Sequence, residues 1–253
     1  MVRAVSLLRG LINALIFPLW TMFCVSGALL LGVLLRDRDY FYRRQRDWAR
    51  GLFRLCGIEL EVSGAEHMDP NGAYVIVANH GSYMDIPSLF GSLPKLPQFM
   101  AKRELAKIPF LGAALRAGRH ILVTRGNHAS AKTSLDGAAE RLRMGAAILV
   151  FPEGTRSTTP ALGSFKTGAF RLAKLGQVAV LPVGISGTKQ ILPKHGRIIR
   201  PHRVTVRIGP AISAAEVQSA SLNELSDRAR TRVPELAGLA TSGAATPKSS
   251  ESA

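Results

Sequence analysis

The stretch NHGSYMD, residues 79–85, sets His80 and Asp85 five positions apart, directly after the apolar run AYVIVA. An imidazole whose Nδ1–H is held by a carboxylate presents Nε2 as a base near neutral pH. Side chains on a regular helix meet at spacings of three or four, so these two meet only if the chain turns between them. Gly81 and Ser82 supply a turn, and Pro87 is tolerated in the first turn of a following helix. The stretch predicts a strand ending near Ala78, a loop carrying His80 and a helix starting close to Asp85. A second use of the same residues stays open: Asp85 as an N-cap, or Ser82 with Asp85 as a capping box.

FPEGTRS, residues 151–157, follows the apolar run AAILV and places Glu153 and Arg156 in a glycine-containing loop. Such a loop lies at the carboxyl end of a strand, the edge where open α/β sheets bind ligands. The planar fork of Arg156 suits a phosphate monoester, and a Glu153 that merely salt-bridges Arg156 into place is the plainer alternative. AKRELAKIPFLG and AGRHILVTRG add Lys102, Glu104 and Arg125 around another strand, and VAVLPVGISGT ends in Pro182 and Gly187. Lys166 and Gly168 lie where a helix N-terminus is a further receiver for phosphate. The other histidines, His67, His120, His128, His195 and His202, show no ligand spacing. They read as structural or surface groups, and no metal is expected.

The runs IELEV, AYVIVA, PQFMA, RHILVT, AAILVF, VAVLPVG and RVTVRIG read as strands, most of them nearly continuous in Val, Ile and Leu. Helices are predicted over Pro87 to Leu93, Glu104 to Arg116, Ala129 to Met144, Lys166 to Leu175 and Ala214 to Leu236. This alternation indicates an α/β fold, a mixed sheet flanked by helices. Ahead of it, Leu11 to Leu35 carries no charge. As a helix it would extend roughly 37 Å, against a hydrocarbon core of about 30 Å. No small-residue cleavage site precedes the charged stretch, which argues against a signal peptide. Pro18 leaves a membrane hairpin in one leaflet open beside a full span. The following RDRDYFYRRQRDWARGLFRL suits a basic juxtamembrane segment, and its arginine excess places the rest of the chain on the cytoplasmic side, as at a bacterial inner membrane. The expected organisation is a membrane-anchoring segment over 1–57, an α/β domain over 58–238 and a disordered polar tail over 239–253.

A net charge of +16 and a pI near 10.9 call for an anionic partner, nucleic acid or membrane surface. Aromatic residues are only 6% of the chain and no RNP1, zinc-finger or Walker pattern is present, which favours the lipid bilayer over nucleic acid. Two cysteines, Cys24 and Cys56, give no disulfide framework, as expected of a reducing compartment.

Taken together and in this order, the four motif stretches resemble the glycerolipid acyltransferase family, specifically the 1-acylglycerol-3-phosphate acyltransferases, over about residues 60–210. The resemblance implies His80 as general base oriented by Asp85, and acceptor glycerol-phosphate binding by Glu153, Gly154, Thr155 and Arg156, with Arg125 in a similar role. It implies direct attack of the lysophosphatidate hydroxyl on an acyl thioester, with acyl-CoA or acyl carrier protein as co-substrate and no other cofactor. In agreement, no GxSxG elbow is present and neither cysteine lies in a motif. Loop amides or Lys102 are candidates for the oxyanion donors. Another lysolipid acceptor, such as lyso-ornithine lipid, and a non-catalytic basic membrane-binding module are the competing readings.

Overall fold

The structure is a computed structural model that describes residues 2–37, 39–123, 128–157 and 163–239. It begins with two helices, α1 (Val2–Leu34) and α2 (Tyr40–Cys56). The α/β part follows as β1 (Glu59–Ser63), β2 (Tyr74–Ala78), α3 (Asp85–Ser92), β3 (Gln98–Lys102), α4 (Leu111–Ala117), β4 (Ile121–Val123), α5 (His128–Arg143) and β5 (Ala147–Val150). It continues through α6 (Gly168–Gly176), β6 (Ala179–Ser186), α7 (Thr188–Ile191), β7 (Arg203–Ile208), α8 (Ala214–Ser219) and α9 (Leu222–Ala237). All seven strands read from the sequence form one sheet in the order β1-β7-β6-β2-β5-β3-β4. Neighbours are parallel except β6 and β7, which run antiparallel, so β1 and β7 point against the other five strands. The sheet is mixed and flanked by helices, as the alternation predicted.

The continuous apolar runs follow from burial on both faces. Tyr74, Ile76 and Ala78 of β2 face a core shared with α2 and α3, through Leu52, Phe53 and Leu89. Val75 and Val77 face the opposite core, where Phe170 of α6 and Leu225 of α9 pack. Each such fully buried large side chain contributes about 1.5–3 kcal/mol relative to exposure.

Two helices predicted as single pieces are interrupted. Glu104–Arg116 splits into a 3₁₀ turn over Arg103–Lys107 and α4. Pro109 disfavours helical backbone at the residue before it, and Ile108 is extended at φ −75° and ψ 125°. Ala214–Leu236 splits at Ala220 because Ser221 caps a new start, accepting from the Glu224 amide at 3.1 Å.

Helix α1 is long and apolar enough, by length and composition, to cross a membrane. It lies along α2 and docks on the β6–β7 connection. Asn13, buried, donates to the carbonyls of Cys56 at 3.0 Å and Ile199 at 3.1 Å. Further along, Trp20 donates to Trp48 O at 2.9 Å, and the Trp48 indole to Thr21 Oγ1 at 3.1 Å. Gly51 is required at this crossing, since a Cβ there would meet the Trp20 ring at 2.3 Å. The tail, residues 240–253, lies outside the described residues.

His120 ties α2 to β3. Its Nδ1 accepts from the Phe99 amide at 3.2 Å, and Nε2 then donates to Gln45 Oε1 at 2.9 Å, with the ring stacked on Phe99. Burial, reinforced by nearby Arg141, pushes its pKa down to about 3. The folded state therefore holds this ring neutral while the unfolded chain takes up a proton below about 6.5. Stability from this group is fully present above that pH and is lost progressively as the pH falls toward 3. In thermal melts of wild type and His120→Gln, the variant should be less stable at pH 7.5 and show a shallower loss of Tm between pH 6.5 and about 4. Parallel acid slopes would show that His120 is not the group responsible.

Candidate active site

The loop after β2 carries Asn79 and His80, and α3 begins at Asp85 as predicted. Asp85 is fully buried, and its Oδ2 accepts three hydrogen bonds: His80 Nδ1–H at 2.8 Å, Gly81 N–H at 2.8 Å and Ser82 N–H at 2.9 Å. An ionised carboxylate has no proton to donate, so Nδ1 carries the proton and Nε2 is left as the acceptor. Of the two readings the orienting one holds: Asp85 is the first residue of α3, the N-cap position falls on Met84 with no side-chain cap, and the capping box is only half made. Ser82 N–H makes the return bond of a capping box, whereas Ser82 Oγ accepts from Met84 N at 3.1 Å and donates to Leu192 O at 2.6 Å. Asp85 Oδ1 is buried and meets no donor among the described residues.

The FPEGTRS loop reaches His80 because β5 lies directly beside β2, with Val77 opposite Val150. Glu153 does not pair with Arg156, the plainer role open to it. Its Oε1 accepts from the His80 amide at 2.9 Å and its Oε2 from Gly163 N at 3.3 Å. The Ser157 amide donates to His80 O at 2.8 Å, and the Phe151 ring stacks on the imidazole at 4.0 Å. His80 is therefore gripped by backbone amide, carbonyl and ring. Gly154 sits at φ +73°, left-handed backbone that costs a residue with Cβ roughly 1 kcal/mol or more.

Arg156 lies over the Tyr83 ring at 3.8 Å and donates to Lys194 O at 3.1 Å, while Lys194 Nζ donates back to Arg156 O at 2.9 Å. Among the described residues no carboxylate pairs with Arg156, Lys166 or Lys194. These three, His80, Gly154, Thr155 and Lys102 line one cleft of about 1820 Å³ that continues between apolar walls from α1 and α2 on one side and the Leu105–Leu111 segment on the other. Lys102 is half exposed and sits 3.7 Å from Glu104. Arg125 lies outside the described residues. Among the described residues no cluster of three or more His, Cys, Asp or Glu is placed to hold a metal ion. Cys56 is buried, which pushes its thiol up to about 11, so it is not a thiolate at neutral pH.

Sequence reasoning assigned no role to Asn79, Tyr83, Phe151 or Lys194. Two of these were in the quoted NHGSYMD, but their partners come from strands and loops far along the chain. Asn79 mimics a strand residue: Nδ2 donates to Ile185 O and Oδ1 accepts from Ile185 N, each at 2.8 Å.

The arrangement is that of an acyltransferase. The acyltransferase family model matches residues 59–186, and the chain belongs to that family. It is 30% identical over 235 residues to a 1-acyl-sn-glycerol-3-phosphate acyltransferase of Chlamydomonas reinhardtii, spanning 88% of this chain and 68% of the relative. To the alpha form of that enzyme in Bos taurus it is 33% identical over 177 residues, 70% of this chain and 62% of the relative. The crystal structure of the 1-acyl-sn-glycerophosphate acyltransferase PlsC from Thermotoga maritima superposes with a TM-score of 0.77 at 29% identity, covering 91% of this chain and 97% of that one. The resemblance read from the motifs is the one these relatives carry.

Asn79→Ala would leave the buried N–H and C=O of Ile185 without partners. A loss of about 2–4 kcal/mol in stability is expected by denaturant titration, with the midpoint lowered at constant slope. A change under about 0.5 kcal/mol would show that solvent reaches these groups.

Proposed function

We propose that the chain transfers a fatty acyl group from an acyl thioester to the free sn-2 hydroxyl of 1-acylglycerol 3-phosphate, giving phosphatidate. The single observation behind this reading is the gripped His80–Asp85 pair in a cleft that also gathers three cations with no carboxylate partner among the described residues. His80 Nε2 takes the proton of the acceptor hydroxyl as its oxygen attacks the thioester carbonyl carbon. The C–S bond then breaks, and the departing thiolate takes that proton back from the imidazolium. Asp85 holds the tautomer and offsets the transient positive charge. The Gly81 and Ser82 amides are committed to Asp85, so the oxyanion falls to other donors, and Lys102 is our candidate.

Arg156, Lys166 and Lys194 would take the acceptor phosphate, with Glu153, Gly154 and Thr155 shaping that loop. Lyso-ornithine lipid has no phosphate to answer these cations, which favours lysophosphatidate. The thioester donor is an acyl-CoA or an acyl carrier protein.

We place the enzyme at the cytoplasmic face of a membrane, held in one leaflet by the α1–α2 hairpin, because α1 runs as one helix through Pro18 and does not turn back there. Helix α1 is packed on the protein from Gly10 to Gly32, while Leu15, Leu19 and Phe23 stand exposed along it. A full span would draw α2 with Arg43, Arg44 and Arg50 toward the hydrocarbon, at about 2.5–3.5 kcal/mol per arginine near the centre.

The test is labelled acyl transfer to 1-acylglycerol 3-phosphate in detergent, with both thioester donors. His80→Ala should fall at least about a hundredfold. Arg156→Ala should raise KM for the lysolipid and leave the donor KM unchanged. Undiminished turnover in His80→Ala removes the base from the mechanism. No product from folded wild type, with product from lyso-ornithine lipid, would replace the acceptor.

A further inference from the structure

Across the cleft from α1, residues 102–111 form a ledge in which almost every side chain is exposed. It is not a polar ledge. Leu105, Ile108, Phe110 and Leu111 are between 38% and 50% exposed. Around them stand Lys102, Arg103, Lys107 and Arg116, with Glu104 as the one carboxylate of that stretch. The backbone at the tip is also unfavourable. Phe110 adopts φ 61° and ψ −50°, a conformation outside the regions that a residue with Cβ prefers. An exposed aromatic on a strained turn has no compensation in water, and such features persist where a binding partner offsets them.

We propose that the Leu105–Leu111 segment is a second membrane-inserting element, a basic-flanked apolar wedge that enters an anionic lipid surface beside α1. The apolar tip ringed by cations matches hydrocarbon below and anionic headgroups around it. The segment is also continuous with the apolar arm. Leu105, Ile108 and Leu111 share the cleft with Phe23 and Leu31 of α1, and Ala117 at the end of α4 shares a smaller cavity of about 400 Å³ with Gly32 and Val33. The wedge and α1 then straddle the mouth of the cleft. A lysolipid passing between them keeps its chain in the bilayer throughout.

This inference rests on the reading that the enzyme works at a membrane, and its test separates the two. In the full chain with Cys24→Ser, where the remaining Cys56 is buried, one added exposed cysteine at a time, Phe110→Cys, Leu19→Cys or Met144→Cys, carries a polarity-sensitive fluorophore. Met144 is exposed just ahead of β5, at the end of the sheet away from the His80 loop. Phosphatidylglycerol vesicles should shift the label at 110 to the blue as they do the label at 19, and lipids brominated in the acyl chain should quench both, with 144 unaffected. A water-like label at 110 beside an inserted label at 19 overturns the wedge and leaves the membrane reading standing. Water-like labels at both positions overturn both. A blue label at 110 that needs no vesicles also overturns it, by showing a protein contact such as a second copy.

Discussion

A carboxylate removed from water is costly unless donors answer it, and Asp85 resolves that cost by gathering three donors on one oxygen. The two backbone amides of Gly81 and Ser82 curl the loop around Oδ2, and the third position is the one the imidazole occupies. The same bonds that make burial of Asp85 tolerable also decide the tautomer and direction of His80. Burial is possible because α3 starts at Asp85 and drives Leu89 into the core beneath the sheet. The pair is consequently an outcome of packing as much as of local chemistry.

What surrounds the pair is set by strand order. The chain leaves β2 for β3, returns through β5 next to β2, and then crosses to β6 on the other side. This puts the His80 loop and the FPEGTRS loop side by side at carboxyl ends of parallel strands, where Glu153 and Ser157 clasp the His80 backbone from both sides. On the far side, Asn79 seals the β2–β6 seam just where β6 has begun to pair with β7. The reversed direction of β7 and β1 brings the β6–β7 connection, with Lys194, over Arg156.

The apolar arm and the core are coupled through α2. One side of this helix buries Ala49, Leu52, Phe53 and Cys56, while Trp48 and Gly51 receive α1. His120 adds a neutral polar link from the same helix to β3, one that depends on burial keeping its charge off. The cleft walls therefore belong to elements locked together, and one cleft runs from the apolar face of α1 to His80.

The strands, the mixed α/β class, the His80–Asp85 pairing and the family were legible in the chain alone, because each rests on local pattern: apolar periodicity, a turn that five residues require, and motif order. Two predicted helices broke for reasons equally local, a proline that keeps Ile108 extended and a serine that caps a new start at Ser221. That Glu153 serves His80 rather than Arg156, that Tyr83 carries the guanidinium and that Asn79 stitches β6 emerge from the folded chain alone. Those contacts join residues tens to over a hundred positions apart, and no local spacing encodes a bond whose two ends are brought together by sheet register.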